Sequence, residues 1–410
     1  MDSLRPRDAQ DVENAVREAL TANQPLDIIG HGTKRGVGHG SATNAVLDLS
    51  ALSTVTLYEP EELVLTVQAA APLRDVQGLL ATKQQEFAFE PVDISALLGT
   101  PVARGTVGGM IGAGLAGPRR IKAGGIRDHL LGLHAVSGFG ESFKAGGRVV
   151  KNVTGYDLCK LIAGSWGTLA VMTAVTLKVM PKAETEITLK LTGLGDIEAG
   201  QAMTAALGSP HDVSAAAHLP KSALRAAVAG LPGAGDAATL IRLEGIAASV
   251  GHRANVLRQD LAAFGPAEQL PAEVSAPIWS ALRDVAPFAA AGPLGQWAVW
   301  RIVCPPSSGA GLGRSLARET GGEFFYDWAG GLIWAALPPS ADAHAVALRQ
   351  RVDAVGGHAT LIRAPDAVRA MVDVFHPHVE GIAALNRRIK LGFDPQDIFN
   401  RGRLARRSVA

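Results

Sequence analysis

Residues 28–40 read "IIGHGTKRGVGHG". These thirteen positions hold five glycines together with His31, His39, Thr33, Lys34 and Arg35, and they continue the apolar "LDII" of residues 26–29. Glycine at this density lets a main chain close tightly around a ligand or a turn. A P-loop needs G-x-x-x-x-G-K-[ST], and here Lys34 precedes Arg35 and Gly36, which is the wrong order. A Rossmann turn needs its last glycine to open a helix. Instead "VGHGSATNAVLDLS" (37–50) runs through glycine, serine and asparagine into a second strand, so a diphosphate would lose the helix dipole. A third arrangement is a backbone nest, with successive N–H groups of an inter-strand loop turned toward an anion. Thr33 would add a hydroxyl, and Lys34 and Arg35 charge. A surface glycine loop with solvated Lys34 and Arg35 fits this segment equally well.

Two further clusters bear on that choice. "GTVGGMIGAG" (105–114) places small residues wherever a cofactor approaches the main chain, and "KNVTGYDLCKLIAGSWGTLAVMTAVTLKV" (151–179) carries "GSWGTL" ahead of a strand. One flexible loop explains one cluster. One extended ligand lying across several loops explains all three.

Around these loops the periodicity predicts regular elements. "DAQDVENAVREAL" sets Val12, Ala15, Val16, Ala19 and Leu20 on one helical face. "LDII", "AVLDLS", "ELVLTVQAA" and the β-branched "TLAVMTAVTLKVMP" predict strands, "PLRDVQGLLATKQ" a helix with Pro72 in its first turn, and "GYDLCKLIAGSWG" a short helix ended by Gly164. "GTPVARGTVGGMIGAGLAG" and "GGIRDHLLGLHAVSGFG" read as loops and short elements. From 183 onward "ETEITLKLTGL", "ATLIRLEGI", "WAVWRIVCPP" and "GGLIWAALPP" read as strands, and "SALRAAVAG" and "GHRANVLRQDLAAFG" as helices. Pro305-Pro306 and Pro338-Pro339 mark surface turns, and Asp394-Pro395 a tight one. The pattern is α+β, with the Gly-rich part first.

The whole chain bounds the function. Its 410 residues suit two or three domains, 47% of them are hydrophobic, and 39 Lys plus Arg against 38 Asp plus Glu leave a net charge of +1. That balance offers no electrostatic case for nucleic acid or an anionic membrane. Two cysteines, Cys159 and Cys304, cannot build an iron–sulfur centre or a four-thiolate zinc site, and they suit a reducing compartment. The start "MDSLRPRDAQ" lacks the apolar core of a signal peptide, and no run of about 18 apolar residues exists. A cytoplasmic location is expected, with any membrane attachment made indirectly through a partner.

In order, "IIGHGTK" (28–34), "LVLTVQAAAPLRDVQGLL" (63–80), "GTVGGMIGAGLAGPRR" (105–120), the glycine-punctuated stretch 125–179 and "FDPQDIFNRGRL" (393–404) resemble the FAD-binding domain of the vanillyl-alcohol oxidase and p-cresol methylhydroxylase superfamily. Within it the chain is similar to the flavin 2-hydroxy-acid dehydrogenases, and there to the FAD-binding subunits of bacterial glycolate oxidases. The resemblance is strong over residues 8–182 and 384–404. In the middle, "FFYDWAGGLIWAAL" (324–337) is the most similar part.

The resemblance implies a two-subdomain PCMH-type FAD-binding domain at 1–182, a smaller α+β cap domain at 183–350, and a segment at 351–410 that returns to the FAD domain. It implies that Gly30, His31, Gly32, Thr33 and Lys34 bind the cofactor, facing its pyrophosphate. Thr106, Gly108, Gly109 and Gly112 would run along the diphosphate and flavin. Gly155, Tyr156, Gly164, Gly167, Val171 and Thr173 would lie near the ribityl chain or the adenine, and Asn400 near the ring. A histidine tether to FAD would directly follow two glycines; His31 falls between Gly30 and Gly32, so FAD is expected to be non-covalent.

Oxidation of a 2-hydroxy acid requires a base, a cation for the carboxylate and a hydride acceptor. Related catalytic subunits carry a metal-binding H-x-G-D-G-N-x-H stretch, which is absent here. His376, His378 and Glu380 have the i, i+2 spacing of a strand face, and His376 beside Pro377 reads as a loop histidine; no metal is expected. Arg363, Arg387 and Arg388 could hold a carboxylate or simply pack. No catalytic residue is assigned. The expected role is therefore that of an FAD-binding subunit in a complex with a homologous catalytic flavin subunit and an iron–sulfur subunit, taking glycolate to glyoxylate. A stand-alone FAD dehydrogenase for a hydroxy acid or alcohol, and a non-catalytic flavin-fold scaffold, remain as alternatives. The basic run Arg401–Arg407 is either a partner-facing or a solvated tail.

Overall fold

The computed structural model describes residues 3–40, 43, 45–148, 155–222, 228, 230–233 and 235–405. The predicted helix at "SALRAAVAG" lies largely outside them, as do Arg406 and Arg407 of the basic tail. Asp8 opens the first helix, Ala9–Thr21, by accepting from the Asp11 amide, and the helix buries Val12, Ala15, Val16 and Ala19. This is the face its periodicity predicts. The helix joins strands Ser3–Leu4 and Leu26–Ile29, each of which pairs in parallel with Ala45–Asp48 between them. The sheet order is Ser3–Leu4, Ala45–Asp48, Leu26–Ile29. A parallel bridge from Leu26 to Phe399 brings the C-terminal turn against this sheet.

A second, antiparallel sheet follows in the order Val55–Glu59, Val64–Gln68, Ala170–Lys178, Leu130–Ser137, Ser142–Gly146. Strand Leu130–Ser137 falls where the sequence reads as loops and short elements. Two register shifts, between Leu130 and Gly132 and between His134 and Ala135, break its alternation. Gly132 also sits against the Gly147 backbone. Helices Leu73–Ala81 and Val107–Ala113 cover the sheet, and their Val76, Leu80, Val107, Met110 and Ile111 join its core.

Beyond residue 183 lies an eight-stranded antiparallel sheet, ordered Ala267–Leu270, Thr185–Thr192, Ala238–Gly245, Val213–Leu219, Glu323–Asp327, Leu332–Leu337, Ala298–Val303, His358–Arg363. The last strand lies past the boundary at 350 expected from the sequence, so the C-terminal segment supplies an edge of this sheet before it returns to the N-terminal domain. Helices Asp196–Leu207, Ala247–Asp260, Pro306–Thr320 and Ala345–Ala354 accompany the sheet. Pro306 stands at the first position of its helix, where a missing N–H costs nothing. The mixture of helix and sheet is the α+β class the sequence predicts.

The sheet docks on the N-terminal domain through one shared apolar cluster. Val37, Ile94 and Leu97 meet Val299, Phe325 and Trp334 there. Beside it, Arg242 contacts Glu90 at 2.9 Å and Glu244 at 3.3 Å, while Arg119 pairs with Glu86 and with Glu244 at 2.9 Å. Burial acts to raise the Glu90 pKa, but the two guanidiniums outweigh it and hold the carboxyl down at about 2. Among the described residues no helix is long and apolar enough to cross a membrane.

Candidate cofactor-binding site

The strand Leu26–Ile29 ends at Gly30, and the glycine loop then forms one wall of a cleft. The cleft encloses about 770 Å³ of atom-free space, part of it open solvent. Gly30, His31, Gly32, Thr33 and Lys34 all line it. Among the described residues the amides of His31, Gly32, Thr33 and Lys34 donate to no protein acceptor, while Arg35 N and Val37 N close the turn on Gly32 O and Lys34 O. Four successive unpaired N–H groups at a cleft wall are the donor set an anion requires, and this favours the nest over a plain surface loop. Lys34 makes no ion pair within 4 Å among the described residues. Burial holds it below the usual lysine value, with Asp93 pulling the other way. A bound anion would supply the missing charge.

The opposite wall is the helix Val107–Ala113. Thr106 caps it, accepting from the Gly109 amide at 3.2 Å, and the Val107 and Gly108 amides donate to Ala71 O and Ala69 O. The helix's first donors are therefore already engaged. What Thr106, Gly108, Gly109 and Gly112 bring to the cleft they line is closeness. A Cβ on Gly30 would lie 2.5 Å from Thr106 Oγ1, so the two walls meet only because residue 30 has no side chain.

The floor is tied from three directions by Asn400. Its Oδ1 accepts from the Ile28 amide at 2.8 Å, its Nδ2 donates to Trp166 O at 2.8 Å, and its own amide donates to Leu26 O. Gly167 has φ +69° and a Cβ there would meet the Asn400 amide at 2.7 Å, so both conformation and space demand glycine. Asn400 and Gly167 line the cleft with Trp166. Below them Asp394, fully buried, accepts from the Ile398 and Phe399 amides and from Lys390 Nζ, which fixes the predicted Asp394-Pro395 turn. The loop's far end is laced by Asp27, which pairs with Arg35 and Arg403.

Other predicted site residues lie outside the cleft lining. Gly164 donates to Ile111 O and so stops the cleft helix from behind. Val171 is buried in the core behind the parallel sheet, and Thr173 bonds His134 O at 3.2 Å while its carbonyl accepts from the Ala69 amide. Gly155 stands open and Tyr156 is 92% exposed. His31 Nδ1 contacts Arg104 O at 2.9 Å. His39 contacts Arg369 O at 2.8 Å and links the loop to the C-terminal segment. The expected loop histidine His376 contacts Asp353 and the Ala359 amide. Arg363 spends its guanidinium on the carbonyls of Leu97, Phe288, Leu294 and Trp297, and Arg387 pairs with Glu380. Sequence reading does not single out Trp166, Met172 or Arg403 as lining residues. The "GSWG" motif was the signal for the first of these.

Residues 3–146 match the family model of an FAD binding domain. The chain carries an FAD-binding domain. In fold, the whole chain is similar to p-cresol methylhydroxylase with substrate bound, at a TM-score of 0.73 and 14% identity, covering 98% of this chain and 88% of that one. It is 29% identical over 394 residues to the glycolate oxidase subunit GlcE of Escherichia coli (strain K12), covering 95% of both proteins. It is also 29% identical to the glycolate oxidase subunit GlcD of Bacillus subtilis (strain 168), over 45% of this chain and 38% of that one. The cleft is therefore the place to test for FAD, and the free amides of 31–34 with half-buried Lys34 fit its diphosphate.

Proposed function

We propose that the chain is the FAD-binding subunit of a glycolate-oxidising complex, an oxidoreductase assembly that takes a 2-hydroxy acid to the 2-oxo acid. The observation that carries this reading is the cleft: unpaired amides at 31–34 facing a glycine-bordered helix, in a domain whose family binds FAD. When bound, FAD supplies a two-electron acceptor for the acid's hydride. The chain's own residues do the holding. His31 to Lys34 would hold the diphosphate, Thr106 and the glycines at 108, 109 and 112 would admit the flavin, and Asn400 would keep Ile28 and Trp166 in register beneath it. The binding proposed is non-covalent, since His31 lies between Gly30 and Gly32 and not directly after two glycines.

Full-length similarity to GlcE supports a role beside partners. The partners proposed are a homologous catalytic flavin subunit and an iron–sulfur subunit; the two thiols of this chain, both buried, supply no cluster. Burial pushes Cys159 and Cys304 up to about 11, which makes them poor ligands at neutral pH. The test is to copurify the chain with the proteins that associate with it and add glycolate without oxygen. Bleaching of the flavin band in the complex, and none in the isolated chain, is the expected result. Bleaching in the isolated chain would overturn the subunit reading, and no bleaching in either would overturn the substrate.

A further inference from the structure

Two groups of charged side chains lie at the seam where the sheet meets the FAD-binding domain. Arg119, Arg242, Glu86, Glu90 and Glu244 form the first, in which both guanidiniums are paired with carboxylates. The second is not neutralised. Arg301 stands on strand Ala298–Val303 between Val299 and Val303, which pack with Trp328, Trp334 and Ile362. Its Cζ is 5.1 Å from the Trp328 ring centroid, and that of Arg120 is 4.4 Å from the same ring. Among the described residues neither guanidinium has a hydrogen bond or ion pair, although each offers five N–H donors.

Few carboxylates face these two cations. Burial, together with neighbouring Arg120, brings Arg301 down to about 10, with Asp327 only partly opposing. His358, on the adjacent strand, is lowered by burial and then by Arg301, His376, His378 and Arg120. Asp327 offsets the two cations only in part. Its Oδ1 accepts from the Trp328 amide at 2.7 Å, and burial pushes it up to about 7. The platform itself is strained, since Trp328 and Ala329 take φ of 51° and 54° in succession. Trp328 Nε1 anchors it on Gly117 O at 3.0 Å, just past the cleft helix. Trp166 of the cleft lining packs on the same apolar cluster, 5.8 Å from Phe375.

We propose that Arg301 and Arg120, mounted on Trp328, form a binding site for the carboxylate of a small 2-hydroxy acid at the seam between the FAD-binding domain and the sheet. The proposal rests on the 2-hydroxy-acid reading of the function. A carboxylate accepts two parallel N–H bonds from a guanidinium fork, and the Trp328 ring holds both forks at one place.

Isothermal titration of the full, FAD-loaded chain with glycolate and, separately, with non-oxidisable acetate tests this without turnover. Both acids bind the wild type, and Arg301→Met and Arg120→Met each weaken both by roughly ten-fold or more. Arg387→Met, whose partner is exposed Glu380, leaves the affinity unchanged. Arg301→Met exchanges a half-buried cation resting on the Trp328 ring for an apolar side chain, and a thermal melt shows whether the variant is folded. Should that variant fail to fold, exposed Arg120 carries the test alone. No acid binding to the wild type, or wild-type affinity in both variants, overturns the site. Acid binding of the expected pattern without glycolate-driven bleaching in the complex leaves the site standing and overturns the function.

Discussion

Replacing Gly30 by alanine tests whether the two cleft walls meet as described. The new Cβ would lie 2.5 Å from Thr106 Oγ1 and 2.8 Å from its Cγ2. Threonine is branched at Cβ, so rotation brings one of these atoms back, and the side chain must leave its rotamer or the walls must part. Leaving the rotamer breaks the cap on Gly109, which costs about 0.5–2 kcal/mol. The residual overpacking adds roughly 1–3 kcal/mol. The two effects together lower the melting temperature by roughly 5–15 °C for a domain of this size. Parting the walls also displaces the amides at 31–34, so the purified variant should carry less flavin, read as the ratio of absorbance at the flavin band to the protein band. Thr106→Ala removes the colliding atoms. The pair G30A/T106A should therefore be less destabilised than the sum of the single changes by about 1 kcal/mol or more. A G30A protein that keeps full flavin and the wild-type melting temperature, or a strictly additive double variant, refutes the reasoning.

Three further outcomes follow from the same contacts. Asn400→Ala loses the bonds to Ile28 N and Trp166 O and should cost about 2 kcal/mol in a thermal or urea melt, with flavin released at lower denaturant. Glu90→Gln leaves Arg242 and Arg119 short of a partner and should cost about 3 kcal/mol at neutral pH. Its sign is that of a depressed carboxylate, so the difference from wild type is full above the ordinary glutamate value of 4.5 and shrinks as the pH falls toward 2. Asp327→Asn has the opposite sign. A carboxyl raised from 3.8 to about 7 penalises the folded state progressively between those values, so the variant should gain on the wild type as pH rises from 4 to 8 in melts across that range.

Much of the FAD-binding half was legible in advance because glycine records close approach. Gly30 and Gly167 stand where a Cβ would strike Thr106 and Asn400, and it was the family resemblance that brought those partners to notice. The helix Ala9–Thr21 was legible because its buried residues are those its spacing marks. Strand Leu130–Ser137 was hidden by Gly132 and by two register shifts that erase the period of two. The nest was left open because an unpaired amide can only be counted once every acceptor has been placed. Placing Thr106, Gly108, Gly109 and Gly112 along the diphosphate and flavin could not anticipate that Ala71 and Ala69 already take the Val107 and Gly108 amides. Arg301 gave no signal at all. Its setting shows only when Arg120 and Arg301, far apart in the chain, are seen to share the Trp328 ring.

The measurement that bears most directly on the cleft is flavin content. The freshly purified chain should hold FAD at one per polypeptide, and acid precipitation should leave it all in the supernatant. The Lys34→Met variant should retain less, since it removes the half-buried cation beside the free amides. A colourless wild-type protein that takes up no FAD on titration, or a variant that holds it as tightly as the wild type, would contradict the assignment of the diphosphate to residues 31–34.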